Sequence, residues 1–321
     1  MSKLSRIKYY NMSHDAKKMN APFKHTREQM INLANEHIQA VQAWLSTRTP
    51  EAKRFIGKGV IANCSGLPVA LLNLALGSHY PPGTSDEVIE NEIESVKTFY
   101  HYQSVPWSWW IAPNPNPSDM IQRLERHNLI CNFQRPVMVA PLPAHYQPLR
   151  NPDIQVWPAS TSAHLEAAST IRQISFGFPE GAADNYFETM AENWLSRERG
   201  TLYMASLKNE PPAAIGALIT GAGLPGVYIM GTLDERRRHG LGSAILSRIL
   251  ADAAALGYQF IVLTASPLGY PLYRKFGFLH IFDYLGFGKT SNGAQPPLER
   301  RGNRRSNYNG LERRSTVAVN S

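Results

Sequence analysis

Apolar residues at Met30, Leu33, Ile38, Val41 and Leu45 recur near the 3.6-residue period of a helix and predict an amphipathic helix within residues 21–45. The period then changes. Residues 59–64 and 68–77 are apolar runs of strand length, joined through Ser65, Gly66 and Leu67, and read as a hairpin. Residues 87–102 return to the helical period, and residues 107–112, with three tryptophans, read as a strand. Pro113, Pro115 and Pro117 follow and predict a loop, because proline has no N–H to give a ladder. A short helix over 118–127, N-capped by Ser118, and a strand over 135–141 complete the first half.

The second half runs in a partly similar order. Residues 154–157 predict a strand, 164–175 and 184–197 two helices, and 201–206 and 213–220 two more strands. The echo predicts a duplicated unit, with Pro141, Pro143, Pro148 and Pro152 marking 141–153 as the linker. An apolar strand from Val227 then reaches Arg236, Arg237, Arg238, His239, Gly240, Leu241 and Gly242, and a helix over 243–257. A strand over 258–264, a loop over 265–271 and a last strand over 280–287 follow.

Strand, cationic glycine turn and helix form an anion site before any side chain is counted. A helix start leaves N–H groups unpaired and carries about half a positive charge, and glycine lets the backbone approach phosphate oxygens. No Lys-Ser/Thr pair follows these glycines, as an ATP-binding P-loop needs, and the third glycine of a dinucleotide fingerprint is replaced by Ile245. Residues Arg237 to Gly242 resemble the R/Q-x-x-G-x-G/A signature of the GNAT N-acetyltransferases. Downstream, Tyr273, Gly277 and Phe278 resemble the family's Tyr-x-x-x-Gly-Phe ending, in the expected order and at a suitable distance.

The resemblance implies an α/β (α+β) chain with the GNAT fold, a central mixed and mostly antiparallel sheet flanked by helices, in two tandem units. The unit over 154–288 would be catalytic. The unit over 21–140 resembles a degenerate copy without a cofactor site, its turn at 113–118 having prolines where the other has glycines and arginines. Acetyl-CoA would be the co-substrate. Met230, Gly231 and Thr232 would align its pantetheine arm, and Arg237, Arg238, His239, Gly240, Leu241, Gly242 and Ser243 would hold its diphosphate, with Arg236 nearby. Tyr273 would be the general acid that protonates the leaving thiolate, with Tyr270 as its rival. Glu180, Asp184, Glu188 and Glu192 are candidate bases, each better explained as a solvated helix carboxylate, and residues 174–180 form an aromatic loop suited to line the acceptor pocket or simply to pack. The expected reaction is direct transfer of an acetyl group to a primary amine of a small molecule through a tetrahedral intermediate. The alternative is a non-catalytic acetyl-CoA-binding or interaction protein.

Composition narrows the classes. Hydrophobic residues make up 43% of 321, enough for sizeable cores. The net charge of +8 is misleading as one number: residues 1–30 and 289–321 each carry +5, which leaves the middle at −2. The ends, 1–20 and 289–321, are expected to be disordered basic segments, and no specific nucleic acid is expected as partner. Two cysteines suggest free thiols in a cytoplasmic protein, the ten histidines lack metal-ligand spacing, and no apolar run is long enough to span a membrane. A monomer or homodimer is expected.

Overall fold

The computed structural model describes residues 23–144, 151–182 and 184–289. The expected disordered ends (all but Lys289) and part of the expected linker lie outside the described residues. The chain forms α1 (Arg27–Ser46), β1 (Lys53–Ile56), β2 (Val60–Cys64), β3 (Leu74–His79), α2 (Asp86–Gln103), β4 (Ser108–Asn116), α3 (Met120–Arg126) and β5 (Leu129–Pro141). The second half forms β6 (Ile154–Pro158), α4 (Ser162–Phe176), α5 (Tyr186–Thr189), α6 (Ala191–Leu195), β7 (Gly200–Leu207), β8 (Ala214–Gly221), β9 (Leu224–Thr232), α7 (Leu241–Ala255), β10 (Phe260–Thr264), α8 (Tyr270–Lys275) and β11 (Leu279–Lys289).

Eleven strands join in one sheet, in the order β1-β2-β3-β4-β11-β5-β10-β9-β8-β7-β6. Two pairs, β3–β4 and β9–β10, are parallel. The others are antiparallel, which makes the sheet mixed and mostly antiparallel, as expected. Apart from β6, which has no counterpart at the other edge, the order mirrors itself about the β11–β5 seam. In each half a helix connects the parallel pair, and a short helix leads to a long final strand. Each final strand then leaves its own half: β5 pairs β10, and β11 pairs β4. The two exchanged strands pair with each other from Leu279↔Val139 to Lys289↔Leu129. Buried Val137, Met138, Val139 and Ala140 face core on both sides of this seam, with Ile281, Phe282 and Tyr284 beside them. The reading of two successive units did not include this exchange.

Helix α1 strengthens the interlock. Thr26 caps it with a reciprocal Thr26–Gln29 capping box. Its buried face carries Met30, Ile38, Val41 and Leu45, as the period predicts, with Ala34 buried where Leu33 was expected and Leu33 half-buried, and it also reaches the second half. His37 Nδ1 lies 3.0 Å from Gly221 O, Tyr186 donates its hydroxyl to Leu45 O at 2.9 Å, and the Trp44 and Trp194 rings meet edge-on at 5.1 Å.

Three local expectations need correction. Strand β4 runs through Pro113 and Pro115 to Asn116, where a loop was expected. Its pairing with β11 ends at Ile111, so the prolines lie past the stretch where that ladder needs N–H groups. The N-cap of α3 is Asp119, not Ser118, with no side-chain cap bond. The connection from β2 to β3 runs over 65–73, longer than a Ser-Gly-Leu turn, because buried Asn73 organises it. Asn73 donates to the Leu67, Val69 and Pro106 carbonyls and accepts from the Ser65 N–H and hydroxyl.

Candidate active site

Strand β9 pairs with β10 at only two positions, Gly226↔Val262 and Val227↔Leu263. Beyond them the two parallel strands separate. A register shift against β8 between Ile215 and Ala217 puts an extra residue in β9, and Ile229 takes φ 54°. A β-branched residue in this region is strained by about 1–3 kcal/mol, and such a bulge re-aims the backbone that follows. Met230, Gly231 and Thr232 are therefore the part of β9 that faces the opening. Gly231 has no room for a side chain, since a Cβ there would run into Ser175 Oγ and the Phe176 ring of α4. In the first half β3 and β4 pair at four successive positions, Leu74↔Ser108 to Gly77↔Ile111, and after a register shift pair again at His79↔Asn116, whereas β9 and β10 do not rejoin.

At the end of β9 the chain makes one 3-10 turn over Asp234–Arg236 and reaches α7. Gly240 is its N-cap at φ 91°, a left-handed conformation that glycine adopts without steric cost. The cap makes no side-chain hydrogen bond and no acidic residue lies in the first turn. The first bond to close is from Ala244 N–H to Gly240 O, so the N–H groups of Leu241, Gly242 and Ser243 point out of the helix start. By contrast α4 is capped by Thr161, whose hydroxyl accepts from His164 N–H.

The three arginines divide. Arg236 pairs with Glu210 at 2.7 Å and leaves the turn. Arg237 donates from Nε to Thr232 O at 3.3 Å and pairs with Asp234 at 2.6 Å, which holds it beside the end of β9. Arg238 is exposed at φ 64° and makes no ion pair with a described residue. His239 is exposed, its Nδ1 2.9 Å from Arg237 O. Gly242 sits against both β9 and α8: a Cβ there would be 3.7 Å from Thr232 Oγ1 and 3.9 Å from Leu272.

Tyr273 follows Leu272 on α8. Its ring is buried against Phe278, with centroids 5.8 Å apart, and packs closely over Gly269. Burial raises the hydroxyl well above the usual tyrosine pKa. The rival Tyr270 meets His280 edge-on at 6.2 Å.

The candidate bases do not converge. Glu180 and Glu192 are exposed, Asp184 accepts from Gly181 N–H, and Glu188 accepts from Ser169 Oγ. The helix expected over 184–197 is two short ones, α5 and α6, and the expected loop over 174–180 begins inside α4, which closes with Gly177 at φ 65°. One residue that no sequence pattern singles out is Arg172 of α4, a buried guanidinium among aromatic rings. The topology also corrects the comparison between halves. The counterpart of the glycine turn is the β3–α2 connection, residues 80–85, not residues 113–118. It leads into Asp86 and Glu87, whose charge would oppose a diphosphate. Among the described residues no three His, Cys, Asp or Glu side chains cluster to hold a metal ion, and no helix is long and apolar enough to cross a membrane.

Residues 166–278 match the family model described as Acetyltransferase (GNAT) family. Solved structures extend the likeness to both halves at the level of fold. A GCN5-related N-acetyltransferase from Kribbella flavida is 16% identical with a TM-score of 0.59, over 80% of this chain and 96% of that one. One from Sphaerobacter thermophilus is 13% identical with a TM-score of 0.54, over 73% and 81%. A tandem GNAT protein from the clavulanic acid biosynthesis pathway is 11% identical with a TM-score of 0.52, over 81% and 93%. No curated protein matches the sequence.

Proposed function

We propose that the protein is an acetyl-CoA-dependent N-acetyltransferase whose acceptor is the primary amine of a small molecule. The observation that carries this reading is the parting of β9 from β10 directly before an uncapped, glycine-started helix. The N–H groups of Leu241, Gly242 and Ser243, with Arg238 and the Asp234-held Arg237, are suited to the diphosphate. The unpaired edge of β9 at Met230–Thr232 suits the amide-bearing pantetheine arm and an N–H aimed at the thioester oxygen. The acceptor nitrogen, as a free amine, attacks the thioester carbon, the C–S bond breaks as the carbonyl re-forms, Tyr273 gives its proton to the departing sulfur, and the proton lost by the nitrogen passes to solvent and restores the Tyr273 hydroxyl. In the first half the acidic start of α2 would oppose a diphosphate, and β3 and β4 pair again at His79↔Asn116 beyond their register shift.

The experiment is calorimetry of acetyl-CoA binding to the full chain beside Gly242→Glu, with release of free thiol followed over a panel of amines. Gly242 has room for a Cβ, and an acidic residue in the first turn of a helix favours folding, so the variant should fold. Like charge at the diphosphate should weaken binding about 100-fold or more. Unchanged affinity sinks the site, while binding without thiol release on any amine supports the non-catalytic alternative.

A further inference from the structure

Arg172 is 3% exposed, and its guanidinium makes no hydrogen bond to any described residue. Nε and Nη1 are both sealed from solvent without a partner. Its Cζ stands 3.9 Å from the Tyr186 ring centroid, 5.2 Å from that of Phe178 and 5.8 Å from that of Phe187. A guanidinium does not give up its proton at ordinary pH, so a full positive charge is buried here. Aromatic faces offset part of that cost, but they accept no hydrogen bonds in the plane of the fork. The acidic side chains nearby in sequence and on the packed helices are used elsewhere or exposed: Glu188 goes to Ser169, Asp184 to Gly181, and Glu180 and Glu192 face solvent. Tyr186 spends its hydroxyl proton on Leu45 O.

The position of this cation connects it to the opening in the sheet. Arg172 lies one turn before Phe176 on α4, and Ser175 and Phe176 are the residues packed on Gly231 at the β9 bulge. The Phe178 ring touches both ends of this path, 5.5 Å from Phe176 and 5.2 Å from Arg172. Two aromatic rings therefore separate the guanidinium from the backbone expected to hold the thioester.

We propose that Arg172 is the anion-binding end of the acceptor site, and that the acceptor is a primary amine that also carries a carboxylate. The planar fork takes the carboxylate through paired N–H···O bonds, and the Phe176, Phe178 and Tyr186 rings cover the carbon skeleton between carboxylate and amine. This assignment rests on the acetyl-transfer reading of the β9–α7 site.

The test uses the full chain with acetyl-CoA and a panel of amino acids, each beside its primary amide and its decarboxylated amine. The wild type should turn over at least one amino acid about 100-fold better, in kcat/KM, than its amide, the scale of a desolvated charge-assisted pair. Arg172→Met should collapse that preference to within a few-fold. Arg172→Lys keeps the charge but not the fork and should retain only part of it. A wild type that prefers the amides or plain amines overturns the proposal without any variant, as does an Arg172→Met enzyme that keeps the preference. A preference for aminoalkyl phosphates over the amino acids overturns the carboxylate assignment. Calorimetry of the same acids against the CoA-loaded protein separates the two readings. Binding that depends on Arg172 with no thiol release on any amine leaves the anion site standing and refutes acetyl transfer. Thiol release with no Arg172-dependent binding does the reverse.

Discussion

Tyr273, the proposed proton donor, is also a core side chain. Its ring fills the space over Gly269 and against Phe278, and the same burial raises its hydroxyl above the ordinary tyrosine pKa. Tyr273→Phe removes one oxygen and leaves that packing in place. Turnover should fall about 100-fold while acetyl-CoA affinity in calorimetry stays within two-fold, as expected for a proton donor that acts only on the departing sulfur. An undiminished kcat would transfer the role to another group. Tyr273, Gly240 and Gly242 are legible in the sequence because their constraints are local: a glycine at a helix start, a tyrosine one turn before a Gly-Phe. Arg172 is not legible, since its burial is imposed by Tyr186 and Phe187, which arrive from another helix. Likewise only the fold reveals that Arg236 is committed to Glu210 while Arg238 stays free of an ion pair with described residues.

At the scale of elements, α1 docks across β8 and β9 through a histidine that must stay neutral. His37 is buried against Gly221, Gly226 and Tyr228, and desolvation lowers its pKa to about 4. The unfolded chain takes up this proton near the ordinary value of 6.5, whereas the folded chain resists until about 4. Stability therefore falls as pH drops through that window, by roughly 3 kcal/mol in full from this one group. Urea midpoints of the wild type should decline between these limits, and His37→Asn, which keeps a donor for Gly221, should decline less steeply. Equal slopes would show that His37 does not govern the docking. Helix α1 itself was legible, because its buried stripe follows the helical period. Strand β4 was less so, since its prolines lie where the partner strand has already stopped and only the register shows that.

At the scale of the whole molecule, the exchange of β5 and β11 makes the halves depend on each other. A fragment beginning at residue 154 would contain the whole glycine turn but leave β10 without β5 along Phe260–Thr264. An open, apolar strand edge seeks another chain. The fragment should elute as a dimer or larger species by light scattering, and co-expression with residues 1–144 should return a particle of the full chain's mass. A monomeric fragment that binds acetyl-CoA as tightly as the full chain would contradict this. Pattern alone could not show the exchange, because β5 and β11 look the same whichever neighbour they take. The mirrored order about the β11–β5 seam also bears on how such a chain can change over time. Two like units that lend each other a final strand make a symmetric pair, and a single linker turns that pair into one gene product. From then on the first unit can do without a glycine turn of its own, yet it cannot be deleted, because its last strand is a wall of the other unit's sheet.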